Sequence, residues 1–378
     1  MIPQPASSSS SSSSRATHKW SWRVARVAGI DIRVHGTFLL LLVWIVVSRL
    51  GAGHGAAAAA QGVLFVGLVF AVVVLHELGH ALVARRFGIG TRDITLLPIG
   101  GVARLERMPT DPRQELLVAL AGPAVNVALA GVAFAVIAVL GAPWSPRALG
   151  LEGGPLLAKL LWVNIAMAAF NMLPAFPMDG GRVLRAFLAM RIDRTRATDL
   201  AARVGKWMAV GLGLLGLYAS PMLALIALFV WFGAAGETAL VHMHAALDSV
   251  RVGDAMVTTF ETLPAAGLIA HGVERAIHTN QRDFPVMDHD RLVGFVSAAD
   301  LIRNASGGAS ARTLGAIAHT FSETAGPDEP VEAALQRLQE ARENVLPVID
   351  GGRLVGLLVP QNVLRVAGLR DRELAFAD

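Results

Sequence analysis

The apolar residues of this chain are concentrated before about residue 240, in stretches long enough to cross a lipid bilayer. Hydrophobic residues make up 54% of the 378 residues and charged residues only 16%, whereas soluble domains carry about 25% charged residues. A bilayer core requires about 20 consecutive apolar residues in a helix. The sequence therefore predicts a polytopic α-helical membrane domain of about six transmembrane helices, followed by a water-soluble region.

Six apolar stretches are the candidate transmembrane helices, and the first and the last two are short for a bilayer core. Their approximate bounds are Thr37–Leu50, Gly62–Val83, Leu116–Leu140, Pro155–Leu173, Trp207–Tyr218 and Pro221–Phe232. Arginine clusters before the first stretch, between the second and third, and between the fourth and fifth. Since cytoplasmic loops are enriched in Lys and Arg, we expect a multi-pass protein of the cell membrane with both termini cytoplasmic. These flanks also account for the formal net charge of +4, and we expect no nucleic-acid partner.

Residues 1–18 and 19–240 differ in composition. The first segment contains an unbroken serine run, Ser7–Ser14, which cannot bury a core, so we expect a disordered tail. The second segment holds all six apolar stretches and is the predicted membrane domain. Within it, residues 93–104 have the character of strands and a turn. Because exposed backbone is not tolerated at membrane depth, we interpret them as a hairpin or re-entrant loop that lines a cavity.

After about residue 248 the sequence becomes more polar and repeats itself. The hexapeptides that begin at Asp283 and Arg291 are echoed 62 residues later by those that begin at Val345 and Arg353. Each copy predicts the order helix, strand, turn, strand, helix, so the two copies together form a small α/β module. The predicted bounds are 248–378 for the module and about 248–305 and 310–370 for its copies.

The second apolar stretch contains the motif His76-Glu77-Leu78-Gly79-His80. Helical residues four apart share a face, so the two histidines can bind one zinc ion. Glu77 lies beside that face and can act as a general base on water at the ion. The alternative is two buried histidines with ordinary hydrogen bonds, but ionisable residues inside an apolar span are expensive and indicate function. The chain contains no cysteine, which leaves His, Asp and Glu as zinc ligands.

A second motif, Asn171–Arg182 (NMLPAFPMDGGR), interrupts the fourth apolar stretch. Its prolines break the helix, and Asp179 then lies near the cytoplasmic end of a span, where it is the natural third zinc ligand. The alternative is an ordinary helix terminus with an Asp in the turn, which does not account for Asn171 and the two prolines. In the third stretch, we interpret Asn126 as a hydrogen-bonding residue between membrane helices.

Together these motifs resemble the site-2 proteases, zinc metalloproteases that cut membrane-embedded substrates. The resemblance covers about residues 20–240, and Met178 stands where the family usually has Leu. It implies one Zn²⁺ per chain and places both motifs at the active site, where Asn171 stabilises the oxyanion or positions the substrate. The implied roles are zinc binding by His76, His80 and Asp179, and catalysis by Glu77 and Asn171.

The repeat resembles a tandem pair of CBS domains, modules that typically sense adenine nucleotides or related adenosyl ligands. In the first copy, the resemblance implies nucleotide contacts by Ser297 and Asp300. In the second copy, Val359 and Asn362 occupy the corresponding positions. Ligand binding is therefore expected mainly at the first copy, and homodimerisation is the alternative role of the module.

The resemblance also implies regulated intramembrane proteolysis, in which a single-span membrane substrate is cut near the cytoplasmic leaflet. The commonest use in this family is bacterial signalling by release of a transcription regulator or anti-sigma factor. Two other hypotheses fit the same spans: a CBS-regulated transporter or channel, and a zinc-binding scaffold without activity. A transport pathway would scatter its ionisable residues, whereas here they cluster, and the intact Glu77 argues against a scaffold.

Overall fold

The computed structural model describes residues 20–53, 55–98, 100–141, 155–248, 250–305, 312–341, 343–366 and 368. The serine-rich tail predicted at 1–18 lies outside these residues. By their internal contacts, two units are distinguished, Met1–Thr238 and Ala239–Asp378.

Helices dominate the first unit, as the apolar stretches predict. In chain order the helices that begin in this unit are α1 (Gly36–Gly51), α2 (Gly55–Arg86), α3 (Pro112–Leu140), α4 (Leu156–Asn171), α5 (Asp179–Ala189), α6 (Arg194–Ala219) and α7 (Pro221–Asp248). The last ten residues of α7 belong to the second unit. Of these helices, α2, α3, α6 and α7 are long and apolar enough to cross a membrane, and α1 and α4 are shorter apolar helices. The prediction of a polytopic helical membrane domain is confirmed.

The last two apolar helices are longer than the predicted spans 207–218 and 221–232. α6 already begins at Arg194, where the side chain of Asp193 caps it by accepting a hydrogen bond from the Thr195 amide at 2.9 Å. α7 continues to Asp248. Charged and small residues in these extensions lower the local hydropathy, which explains why apolar stretches alone predict short helices.

A four-stranded sheet packs on α2. Its strands are β1 (Ser21–Val27), β2 (Ile30–His35), β3 (Thr91–Leu97) and β4 (Gly100–Leu105), in this spatial order. β3 and β4 form a hairpin within the segment 93–104 for which one was predicted. Ile30 and Ile94 of the sheet contact Leu78 and Ala81 of α2. The hairpin is therefore held beside the part of α2 that carries the two histidines, with β4 at the edge of the sheet.

Two copies of one arrangement form the second unit. Its described elements are α8 (Val252–Ala255), β5 (Leu263–Pro264), α9 (Ile269–His278), β6 (Asp283–Asp288), β7 (Arg291–Ser297), α10 (Ala298–Ala305), a 3-10 helix (Leu314–Ala316), α11 (Val331–Ala341), β8 (Leu346–Asp350) and β9 (Arg353–Leu358). Each copy has its own apolar core, one around Phe284 and Val296 and the other around Val348 and Leu358. The predicted α/β module is confirmed.

The 62-residue offset of the sequence repeat recurs in the backbone pairing. Several residue pairs in one copy have a counterpart at the same offset in the other. The segment before each copy pairs with the last strand of the opposite copy. The pairs are Leu263–Val286 and Ala325–Val348, both parallel, and Val257–Leu357 and His319–Phe295, both antiparallel. The copies are therefore related by an approximate twofold symmetry.

Candidate metal centre

His76 and His80 lie on one face of α2 and are buried, with exposed fractions of 4% and 8%. Their Nε2 atoms are 3.1 Å apart, and their rings meet edge to face. The four-residue spacing thus directs both Nε2 atoms to a common point, as helical geometry predicts.

Asp179 reaches the same point as the first residue of α5. Its Oδ2 atom lies 3.2 Å from Nε2 of each histidine. The proline-containing segment 172–178 separates α4 from α5, as the motif predicts. Glycine at 181 lets α5 pack tightly on that segment, since a Cβ on Gly181 would lie 2.6 Å from the carbonyl carbon of Ala175. The structure therefore brings together the three residues predicted to bind zinc.

Helix α3 holds the outer ring nitrogen of each histidine. Nδ1 of His80 lies 2.7 Å from the carbonyl oxygen of Val118, and Nδ1 of His76 lies 2.6 Å from Oδ1 of Asn126. Carbonyl oxygens only accept hydrogen bonds, so each Nδ1 carries the proton and each Nε2 presents a lone pair. Asn126 does bond between helices, as interpreted from the sequence, and its partner is a predicted zinc ligand.

Three lone pairs therefore converge with no proton between them, and Oδ2 of Asp179 is buried without a hydrogen-bond donor among the described residues. Zinc bonds of about 2.0–2.1 Å in a tetrahedral site separate the ligand atoms by about 3.3 Å, close to the observed 3.1 and 3.2 Å. Two imidazole nitrogens and one carboxylate oxygen match a catalytic zinc site with an open fourth position. The residues present fit a zinc ion.

Two glycines leave room for these side chains. A Cβ on Gly122 of α3 would collide with Nε2 of His80 and lie 2.7 Å from Cε1 of His76. A Cβ on Gly101 of β4 would lie 3.0 Å from Cγ of Glu77. Glu77 is half-buried, and its side chain therefore lies against the edge strand, beside the histidines.

Comparisons with known proteins identify the family. A model of peptidase family M50 matches residues 63–148 and 153–212, and a CBS domain model matches 315–368. Zinc metalloprotease MJ0392 of Methanocaldococcus jannaschii is 30% identical over 360 residues, which cover 95% of this chain and 99% of that protein. The chain belongs to peptidase family M50. Rip3 of Mycobacterium tuberculosis is 32% identical over 91% of this chain and 92% of its own length. A solved site-2 protease from M. jannaschii is 37% identical, covers 58% of this chain and 95% of its own, and has a TM-score of 0.43.

Membership of family M50 confirms the resemblance stated from the sequence motifs. The protein is a multi-pass membrane enzyme of the zinc metalloprotease class with a C-terminal CBS domain. The role of each site residue is a separate question. Asn171 is the last residue of α4 and half-buried, and its part in catalysis by this M50 peptidase stays a prediction.

A buried ion cluster on α5, the helix that begins with Asp179, is not among the sequence-based predictions. Arg185 of α5 is 1% exposed, and its guanidinium donates to Glu115 of α3 and Glu237 of α7. It also lies 5.1 Å from the ring centroid of Phe176. Arg185 belongs to the arginine cluster between the fourth and fifth apolar stretches, and its burial with two glutamates is an additional feature of that cluster. The sequence feature that could have predicted this cluster is the pair of glutamates, Glu115 and Glu237, which lie within otherwise apolar helices.

The predicted nucleotide contacts Ser297 and Asp300 lie where β7 meets α10. Ser297 Oγ donates to Oδ2 of Asp300 at 2.6 Å and accepts from the Asp300 amide at 3.1 Å. This hydrogen bond, with nearby His319 and Arg303, lowers the pKa of Asp300. Ser297 and Asn362 line a cavity of about 1200 Å³ in the second unit, whereas Asp300 is not among the described residues that line it.

Proposed function

We propose that His76, His80 and Asp179 bind one Zn²⁺ and that this centre hydrolyses a peptide bond of a membrane-embedded protein. The observation that carries the proposal is the convergence of three lone pairs on one buried point. When bound, the ion supplies Lewis acidity that polarises the scissile carbonyl and lowers the pKa of water at the site to about 7.

Glu77 is the general base of the proposed reaction. It takes a proton from the attacking water and delivers it to the leaving amine. Because Glu77 lies against Gly101 of β4, a substrate segment added to this edge strand runs past the carboxylate. The added strand satisfies the backbone of a segment that has unwound from its helix. Asn171 stabilises the oxyanion or positions the substrate.

The proposed substrate is a single-span membrane protein that is cut in the cytoplasmic half of the bilayer. Helix α2 ends at Arg85 and Arg86, shortly after His80. At 1.5 Å per residue, His80 is roughly 8–9 Å from this basic end along the helix axis. Basic ends face the cytoplasm, so we propose cytoplasmic termini, a cell-membrane location, and regulated proteolysis that releases a transcription regulator or anti-sigma factor.

We further propose that an adenine nucleotide or related adenosyl ligand regulates the enzyme through the 248–378 module. The cavity that Ser297 lines is large enough for such a ligand. Asp300 lies behind Ser297 and holds its hydroxyl in place. Homodimerisation through the module is the alternative role.

Elemental analysis and comparative proteomics test the proposal. Purified full-length protein should contain about one zinc per chain. Membranes of cells that express Glu77→Gln should retain an uncut protein that the wild type removes, and mass spectrometry of the released fragment should locate the cut. Wild-type protein without zinc would contradict the metal site. A cut in the outer half of the substrate span would contradict the proposed leaflet.

A further inference from the structure

Asn126 and Asn164 connect His76 to the backbone of α4 by consecutive hydrogen bonds. Nδ2 of Asn126 donates to Oδ1 of Asn164 at 3.0 Å, and Nδ2 of Asn164 donates to the carbonyl oxygen of Leu160 at 2.8 Å. Both amides are buried, with exposed fractions of 0% and 2%. The hydrogen bond that His76 makes through Nδ1 is therefore the first of a buried series of hydrogen bonds that links α2, α3 and α4.

This series of bonds has one direction. The carbonyl oxygen of Leu160 only accepts, so the amide nitrogen of Asn164 faces it and the amide oxygen of Asn164 faces Asn126. That oxygen also only accepts, so Asn126 turns its nitrogen toward Asn164 and its oxygen toward His76. His76 must then donate from Nδ1, and its Nε2 keeps the lone pair that a metal ion requires.

We infer that Asn164 is a positioning residue of the zinc centre, which orients Asn126 and thereby fixes the tautomer of His76. The inference rests on the proposed zinc site. Without the acceptor of Asn164, only the weak contact with Met167 Sδ at 4.0 Å opposes rotation of the Asn126 amide, which can then donate to Nδ1 of His76. The ring proton would then sit on Nε2, where it blocks the metal. His80 has no such dependence, because its Nδ1 faces the backbone carbonyl of Val118, which cannot exchange donor for acceptor.

The test measures zinc affinity of the full-length protein by competition with a chelator. Asn164→Leu has a similar volume but no acceptor and should weaken zinc binding about 10–100-fold, the usual cost of losing a residue that supports a metal ligand. Asn164→Asp keeps an oxygen toward Asn126 and should bind zinc far more tightly than Asn164→Leu. Met167→Leu is the matched control in α4, since Met167 Sδ lies 4.0 Å from the same Asn126 nitrogen. It should bind zinc like the wild type.

A second experiment in an Asn126→Asp background distinguishes loss of the side-chain orientation at position 126 from loss of packing at position 164. A carboxylate accepts from His76 in either rotation, so Asn164→Leu should weaken zinc binding much less there than in the wild-type background. Nitrogen-15 NMR of zinc-free wild-type protein, with His76 assigned by substitution, should show the His76 proton on Nδ1, and this measurement requires no variant at 164. A proton on Nε2, equal losses in both backgrounds, or an unchanged affinity in Asn164→Leu overturns the inference and leaves the zinc site standing. Absence of zinc from the wild type overturns the proposed function itself.

Discussion

Asp179 and Asp300 are the carboxylates of the two candidate sites, and they differ in what already surrounds them. Oδ2 of Asp179 is buried, faces two ring nitrogens that carry no proton, and has no donor among the described residues. Asp300 accepts the Ser297 hydroxyl at 2.6 Å and lies 3.2 Å from Arg303 and 3.4 Å from His319. With both histidines neutral, the first carboxylate has no cationic partner among the described residues, whereas the second is paired with cationic groups of the protein itself.

These surroundings indicate how strongly each site depends on a partner from outside the chain. Burying an ionised carboxylate without a partner costs several kcal/mol, which supports the proposal that a cation completes the membrane site. The site around Asp300 already has its partners, so a ligand there adds to a complete structure. Zinc is accordingly expected as a resident of the fold, and the adenosyl ligand as a reversible regulator.

We expect the greatest change from substituting Glu77, the carboxylate beside the proposed zinc ligands. Glu77→Gln should lower the cleavage rate about 10²–10⁴-fold, because an amide cannot accept the proton from water. Zinc content should stay at about one per chain, since Glu77 is not among the proposed ligands. Cleavage of the substrate identified by proteomics and elemental analysis provide the two measurements. Glu106→Gln makes the same exchange at an exposed position and should cleave normally. Undiminished cleavage by Glu77→Gln would reject the mechanism and restore the transporter hypothesis.

Replacing Asp179 or Asp300 with asparagine tests directly whether the two carboxylates differ in their need for a cation. Asp179→Asn removes the ligand charge and places an amide toward the histidines, so zinc affinity should fall by more than the ~100-fold upper range seen for supporting residues. Asp300→Asn is the matched exchange in the other unit and should leave zinc affinity unchanged. Chelator competition on both full-length variants measures the difference. Equal zinc retention by Asp179→Asn and the wild type would remove Asp179 from the site.

The arrangement of the three proposed zinc ligands is largely predictable, because it depends on local features of the sequence. His76 and His80 need only helical periodicity to share a face. Asp179 follows from the absence of cysteine and from a proline-broken helix end. The sequence repeat likewise predicts the module, since its constant offset requires two equivalent structures.

The supporting residues were not predictable, because their roles exist only after the helices pack. Arg185 is 70 residues from Glu115 and 52 from Glu237, and a basic flank is the simpler interpretation of an arginine beside an apolar span. Asn164 lies among apolar residues of α4, and its direction-setting role depends on the orientation of Asn126 from α3. The lengths of α6 and α7 depend on capping and on polar extensions, which apolar stretches do not reveal.

A smaller effect is expected from filling the space that glycine leaves beside the histidines. Gly122→Ala places a methyl group against His80 Nε2 and His76 Cε1, and overpacking of this kind costs about 1–3 kcal/mol. Zinc affinity should fall roughly 10-fold or more, because the methyl group displaces a ligand atom. Gly131→Ala in the same helix meets open space and should bind zinc like the wild type. Equal affinity of the two variants would show that α3 does not shape the centre.

The smallest effect is expected at Ser297, where the protein already satisfies its own carboxylate. Ser297→Ala removes the hydroxyl that bonds Asp300 and its amide, a loss worth about 1 kcal/mol for a helix-capping residue. The melting temperature of the module should fall by a few degrees, on the order of the usual effect of such a loss. Because the Ser297 hydrogen bond is the leading cause of the lowered pKa of Asp300, the variant should raise that pKa toward its ordinary value, which NMR titration measures. Thr313→Ala is the control, since Thr313 precedes the 3-10 helix without a side-chain cap bond.

If AMP binding to the full-length protein weakens a few-fold in Ser297→Ala and stays constant in Thr313→Ala, the cavity is a ligand site. If neither variant nor wild type binds AMP, ATP or S-adenosylmethionine, dimerisation becomes the function of the module, and the carboxylate of Asp300 is satisfied for structural reasons alone.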